Sequence, residues 1–451
     1  MRYFRFSWFV FSLSVIAIFL SSLRAGAEAT SESAEEVIEV APVWSGHPVG
    51  FYLLTQPPHQ YIAFYDADRR LTIASRVLDA TRWTFSRIPE TLGWDSHNSI
   101  VLAIDRTGYL HLAGNMHAES LNYYRTEKPF DAATFVQIPE MVGQEEDHVT
   151  YPEFFRGPGG ELVFTYRSGR SGAGNQIYNV YDPESRTWSR LLDQPLVDGE
   201  GKRNAYFCGP KLGPDGYYHL CWVWRDTPDC ASNHDLCYAR SLDLRHWETS
   251  RGKPLDLPIT FETCEIVDPV APGGGIINGN TKIGFDAKNR PILSYHKFDA
   301  KGFTQVYDAR LEEGGWKIRR ITDWDYRWDF RVGGAIHFEI RLQPVRTGKD
   351  GLLTQGWSHD RYGSETWVLD PKDLKPLRRV PSTGPSIPKS LRNIKSDFPG
   401  MAVRFCSDAG DSGKPGHRYL LRWETLGAHR DRPREKPWPR PSMLFLCRIP
   451  E

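Results

Sequence analysis

The sequence predicts an all-β protein, a β-propeller of seven four-stranded antiparallel blades. Three observations carry that prediction. No stretch keeps the 3.6-residue apolar period of a long amphipathic helix. A unit of apolar strand, Gly/Asp/Asn turn, second strand and polar hairpin recurs along the chain. The aromatic that follows each hairpin (Trp83, Phe135, Trp188, Trp247, Trp316) returns at spacings of 52, 53, 59 and 69 residues. Four short strands in a period near ~50 residues make a propeller blade.

Seven units fit between Val43 and Ile449: Val43–Pro89, Asn98–Pro139, Val149–Pro195, Ala205–Leu257, Ile276–Thr322, Gly334–Pro381 and Met401–Ile449. Their inner turns read Asp105-Arg-Thr-Gly108, Gly157-Pro-Gly-Gly160, Gly213-Pro-Asp-Gly216, Asp286-Ala-Lys-Asn289 and Thr347-Gly-Lys-Asp-Gly351, residue types that favour tight turns. The basic, proline-rich stretch Gly427–Pro441 splits two apolar strands and reads as a surface loop of the last blade.

Ahead of the blades, Arg2 and Arg5 precede an apolar run from Phe6 to Leu23 and the small residues Ala25-Gly26-Ala27. This is the pattern of a secretory signal peptide over residues 1–29, followed by an acidic, solvated lead-in at 30–42 and the propeller at 43–451. The expected location is secreted or periplasmic, and the expected state a monomer without a membrane span in the mature chain. Net charge is zero, and no basic run is long enough to track a phosphate backbone, which argues against nucleic acid. All seven cysteines lie after residue 200. An odd number leaves at least one outside any intramolecular disulfide.

In an antiparallel hairpin, residues whose numbers share a constant sum face each other. His97 and His117 are symmetric about Thr107, Tyr151 and Arg167 about Gly159, and Tyr206 and Arg225 about Asp215-Gly216. His296 mirrors Asn280, and Trp357 mirrors Arg341. Each pair falls eight to ten residues from its turn, at or past the end of a typical strand, in rim loops where a rigid scaffold carries function. Radial hairpins would gather imidazole, phenol and guanidinium groups on one rim.

That set suits one chemistry better than another. Glycoside hydrolysis ordinarily uses two carboxyl groups flanking the bond, and only Asp95 and Glu153 neighbour these pairs. A His/Tyr set backed by Arg suits β-elimination on a uronic acid. Arg neutralises the carboxylate and so stabilises the carbanion. A neutral His or a Tyr phenolate removes the C5 proton, and a second His or Tyr protonates the departing O4.

The residues Gly46-His47-Pro-Val-Gly-Phe51, Trp94-Asp-Ser-His97-Asn98, Gly114-Asn-Met-His117, Thr150-Tyr151-Pro152, Tyr166-Arg167-Ser-Gly169 and Asn233-His234-Asp235 resemble the BNR repeat-containing seven-bladed propeller enzymes. These include ulvan lyases and enzymes that remove terminal L-rhamnose α-1,4-linked to D-glucuronate in arabinogalactan-type glycans. The resemblance implies that His97 and His117 are the catalytic pair, Tyr151 the lyase tyrosine and Arg167 the carboxylate-binding arginine. By weaker match, Tyr206, Arg225 and Arg331 would line the same pocket. It also implies a second reading: His47 matches a histidine to which some relatives owe rhamnoside hydrolysis at a separate site. A third reading is a non-catalytic glycan-binding propeller.

No cofactor for catalysis is expected, and the Cys/His cluster reads either as a structural Zn2+ site or as reduced cysteines or a local disulfide. His219-Leu-Cys221 puts two ligand types on one strand face, with His234 after a loop and Cys406 as a fourth ligand to close a tetrahedral site. Relatives in the lyase group resemble this in carrying a structural zinc. Ser241-Leu-Asp243-Leu-Arg-His-Trp247 is similar to a degenerate Asp-box, a turn stabiliser of sialidase propellers.

Overall fold

The computed structural model describes Ala34 and residues 36–348, 350–381 and 387–450. The signal peptide expected at 1–29 and the first part of the lead-in lie outside the described residues. Among those described, the chain forms seven antiparallel sheets of four to six strands. The one α-helix among the described residues is the four-residue turn Lys389–Arg392.

Each sheet is built from consecutive strands, with one exception. The first strand, Glu36–Val43, pairs with the last, Ser442–Pro450, beside His417–Leu426 and Met401–Ser407. The expected lead-in is therefore partly wrong: its second half is a paired strand of the seventh sheet. Val37 and Glu39 are exposed while Glu36 and Ile38 are half-buried and Val40 is buried, the period-two signal that the segment's acidity masked.

The strands follow from their patterns. Ile100–Ile104 and Leu353–His359 alternate buried with half-buried residues, as a strand with two unlike faces should. Leu110–Gly114 and Tyr218–Arg225 are buried throughout, because second strands are covered by a neighbouring sheet on each face. The core lies between successive sheets. Trp222 and Trp224 have no exposed surface, and each such side chain contributes roughly 2–3 kcal/mol of apolar burial. The repeating aromatics Trp83, Phe135, Trp188, Trp247 and Trp316 stand at the opening of the fourth strand in the first five sheets.

Neighbouring sheets meet through inner strands. Gly284 shows how tightly: a Cβ there would lie 2.2 Å from the Val345 carbonyl oxygen. The seventh sheet touches the first, where Thr55 N donates to Asp408 Oδ1 at 2.9 Å. The Asp-box-like turn behaves as expected. Asp243 Oδ1 accepts from the Arg245 and His246 amides at 2.8 Å each, and Ser241 Oγ accepts from Leu244 N.

Candidate active site

The second sheet supplies the histidines. Its first hairpin pairs Ile100 with Gly114, so His97 and His117 sit mirrored three residues past the last ladder pair, as their numbering predicts. Asp95 captures both. Its Oδ1 lies 2.7 Å from His97 Nδ1 and its Oδ2 2.6 Å from His117 Nδ1. Oδ1 also accepts the His97 backbone amide at 2.8 Å. The imidazoles stack with centroids 4.1 Å apart. Burial opposes ionisation of Asp95, but the hydrogen bonds from His117 and His97 outweigh it and hold the carboxyl far below the usual carboxylate range. A carboxylate only accepts. Each Nδ1 therefore carries its hydrogen, and both Nε2 atoms face away from Asp95.

The third sheet supplies Tyr151, and here the register differs from expectation. The ladder keeps Arg156 opposite Leu162 near the turn, but a bulge between Thr150 and Glu153 places Arg167 opposite Thr150. Tyr151 stands in that bulge with φ of 54°, a left-handed conformation costing a non-glycine residue about 1–3 kcal/mol. The bulge turns its ring to the histidines, with centroids 5.9 Å from His97 and 6.1 Å from His117. Arg167, only 3% exposed, lies under that ring with Cζ 5.1 Å from the centroid. It donates to Thr150 Oγ1 at 2.9 Å, while its Nε and Nη1 are buried without a partner. An unpaired buried guanidinium N–H costs about 1–3 kcal/mol, which an acceptor placed against it would recover. Burial, then the neighbouring Tyr206, push the Tyr151 phenol well above its ordinary range, with Arg167 and Arg225 pulling the other way.

The fourth sheet completes the cluster. Tyr206 and Arg225 are not ladder partners: a bulge between Cys208 and Lys211 sets Tyr206 opposite Val223 and Arg225 opposite Asn204. They still meet, because Arg225 Nη1 donates to Tyr206 Oη at 3.3 Å. Tyr206 lies 6.1 Å from Tyr151 and 2.8 Å from Ser171 Oγ. In the sixth sheet Arg341 faces Ser358 and not Trp357. His296 does mirror Asn280 about Lys288, on the register that pairs Lys282 with Ser294. His296 is buried against Trp328.

Two expectations need correcting. Arg331 does not join the cluster: its side chain is 68% exposed and pairs with Asp329. His47 is enclosed among aromatic rings, with its Nε2 buried and unpartnered. It is 1% exposed beneath Trp44 and Trp94 and accepts from Trp44 Nε1 at 2.9 Å. Burial first, then the Arg69 charge, lowers its pKa to about 4. The zinc set does not assemble. His219 is held by Tyr238 and Asp215, and His234 lies between Asp235 and Asp226. The two stand at opposite ends of one ladder, opposite Arg240 and Trp224. Cys221 faces Cys208 across the fourth sheet, and Cys406 in the seventh sheet contacts the Phe51 carbonyl. Alternation does put His219 and Cys221 on one strand face, but a hairpin's length separates them from His234. Among the described residues, three or more metal-type ligand atoms converge only at Asp95, His97 and His117.

Sequence reasoning passed over Asp95 as a carboxylate without a mate. Its position two residues before His97 is an Asx-turn signal, and the mate is the imidazole pair. Asp431, from the loop of the seventh sheet, was not foreseen beside His97.

A cavity of about 580 Å³ lies elsewhere, at the turn ends of the inner strands, lined by Tyr52, Ile104, Phe155 and Asp411.

The fold has counterparts. The structure of the polysaccharide lyase Uly1 superposes with a TM-score of 0.61 at 16% identity, covering 92% of this chain and 99% of that one. A PL25 ulvanlyase superposes at 0.58 and 13% identity, covering 91% and 95%. The same values hold for that ulvanlyase bound to -[GlcA(1-4)Rha3S]-. At these identities the likeness is one of fold. No curated protein matches the sequence. The sequence model of the BNR repeat-containing family matches residues 59–324, well over half of the chain. With its repeated sheets and aromatic-closed hairpins, the chain belongs to the BNR repeat-containing family.

Proposed function

We propose that the protein is a seven-bladed propeller lyase cleaving terminal L-rhamnose-α-1,4-D-glucuronate linkages by β-elimination. The observation that carries this reading is the pair of stacked imidazoles bridged by Asp95, facing Tyr151 over a buried, partly unpaired Arg167. With both Nδ1 atoms tied to Asp95, a neutral imidazole offers its Nε2 lone pair as the base for the C5 proton. The C5–H electrons form the C4=C5 double bond, the C4–O4 bond breaks, and O4 leaves with a proton from the Tyr151 hydroxyl. A phenol held high by burial keeps that proton until needed. The free Arg167 N–H groups stabilise negative charge developing on the uronate or on the Tyr151 oxygen. The products are free rhamnose and an unsaturated uronate.

The uronic-acid glycan, of arabinogalactan or ulvan type, is the partner this chemistry requires, and the signal-peptide pattern from Arg2 to Ala27 supports action in a secreted or periplasmic setting. Among the described residues no helix is long and apolar enough to cross a membrane. The burial of His47 favours elimination over hydrolysis, because a ring closed in by Trp44 and Trp94 has no route to a glycosidic bond. The test is incubation with a rhamnose-capped glucuronide, following ultraviolet absorbance and rhamnose release together. Equal rise of both supports the lyase. Rhamnose released without absorbance, carrying oxygen from labelled water, replaces it with the hydrolase. Retention of the glycan without turnover, persisting in a His97/His117 double variant, replaces it with a binding propeller.

A further inference from the structure

Two long loops meet beside the imidazole pair: residues 321–339, between the fifth and sixth sheets, and residues 427–441 within the seventh. Their junction is Asp431. Its Oδ1 accepts from Ser96 N at 3.0 Å and its Oδ2 from Ala335 N at 2.7 Å. The same Oδ2 stands 3.5 Å from His97 Nδ1. Arg430 Nε donates to the Gly333 carbonyl at 3.4 Å. Arg430 and Asp431 both have left-handed φ, 54° and 59°.

From this junction a circuit of contacts runs round the site. Gly333–Ala335 continue into Val332, whose carbonyl accepts from Cys230 N at 3.0 Å. The adjoining Pro228 carbonyl accepts from Arg225 Nη2 at 2.6 Å. Arg225 holds Tyr206, which contacts Tyr151, which contacts His97. The circuit closes at Ser96. A groove passing a polymer through its middle needs two open sides, whereas this circuit ties both loops to the side chains around the imidazole pair.

We infer that Asp431 is a positioning and specificity-determining residue: it latches the two loops to the 95–97 turn, sets His97, and walls the site so that a chain end enters and a chain middle does not. This rests on the lyase reading above. In free form, Asp431→Ala releases Ala335 N and Ser96 N together and opens the wall.

The test compares wild type, Asp431→Ala and Ala335→Pro. The last removes the Ala335 N–H without altering the carboxylate. Two substrates are used, a short rhamnose-capped glucuronide and a glucuronate–rhamnose polymer whose non-reducing ends are chemically blocked. Wild type should cleave the first and leave the second intact. Both variants should lose about tenfold in kcat on the short substrate with KM within about threefold, and should lower the viscosity of the blocked polymer. A wild type that cuts the blocked polymer, or folded variants that never do and keep their kcat, overturns the latch while leaving the lyase standing. A wild type inert on both substrates sinks the lyase reading itself, and the latch with it.

Discussion

Asp95→Asn is the most informative single change. The carboxylate holds three donors: the His97 backbone amide at 2.8 Å and the two Nδ1 atoms at 2.7 and 2.6 Å. Asparagine can keep one oxygen on the turn and on one ring, but its NH2 then faces the other Nδ1. That imidazole must accept there, so its hydrogen moves to Nε2 and its outward nitrogen changes from proton acceptor to donor. Hydrogen bonds to a charged group contribute about 1.5–3 kcal/mol each. Losing their charge assistance at two rings, with one ring in the wrong tautomer, costs roughly 3–5 kcal/mol, or about 10²–10⁴ in kcat. The assay is the ultraviolet rise of the unsaturated uronate on the capped glucuronide, with a thermal melt to show that the sheets are intact. An Asp95→Asn protein that folds and keeps kcat within threefold would refute the assignment of both histidines.

Other outcomes follow from the same geometry. Tyr151→Phe keeps the ring in its bulge but removes the proton offered to O4. Rhamnose release should fall by at least about a hundredfold with little change in substrate retention, measured by kinetics and glycan pull-down. Arg167→Ala should lower kcat by about a hundredfold or more, because the missing charge acts on the transition state, and steady-state kinetics on the capped glucuronide check this. Asp308 is fully buried between the fifth and sixth sheets. Burial raises its carboxyl to about 7 despite hydrogen bonds from Ser294 and Gln355. The folded state then binds more protons than the unfolded one between about pH 4 and 7, so stability falls as pH rises through that window. Asp308→Asn removes the penalty and offers an NH2 to the buried, unpartnered Gln355 Oε1. The melting temperature should rise at pH 8, by the equivalent of up to about 4 kcal/mol, with no gain at pH 4.

The sequence alone determined the repeat, because strand alternation, turn residues and the aromatic opening each fourth strand are local and recur at near-constant spacing. It also determined the mirrored positions of His97 and His117, where the hairpin of Ile100–Ile104 and Leu110–Gly114 runs without a bulge. Constant-sum pairing failed where a bulge inserts residues: Arg167 moved to face Thr150, and in the fourth sheet a turn register that pairs Leu212 with Tyr218, together with a bulge, moved Arg225 to face Asn204. Bulges are set by contacts across the sheet, and their sequence signal is weak. Only the tertiary structure could show that Asp95 serves two rings from one carboxylate, or that Asp431 reaches Ser96 across 335 residues of chain. The same holds for the separation of His219 from His234, since hydrogen-bond partners distant along the chain leave no periodic trace in it.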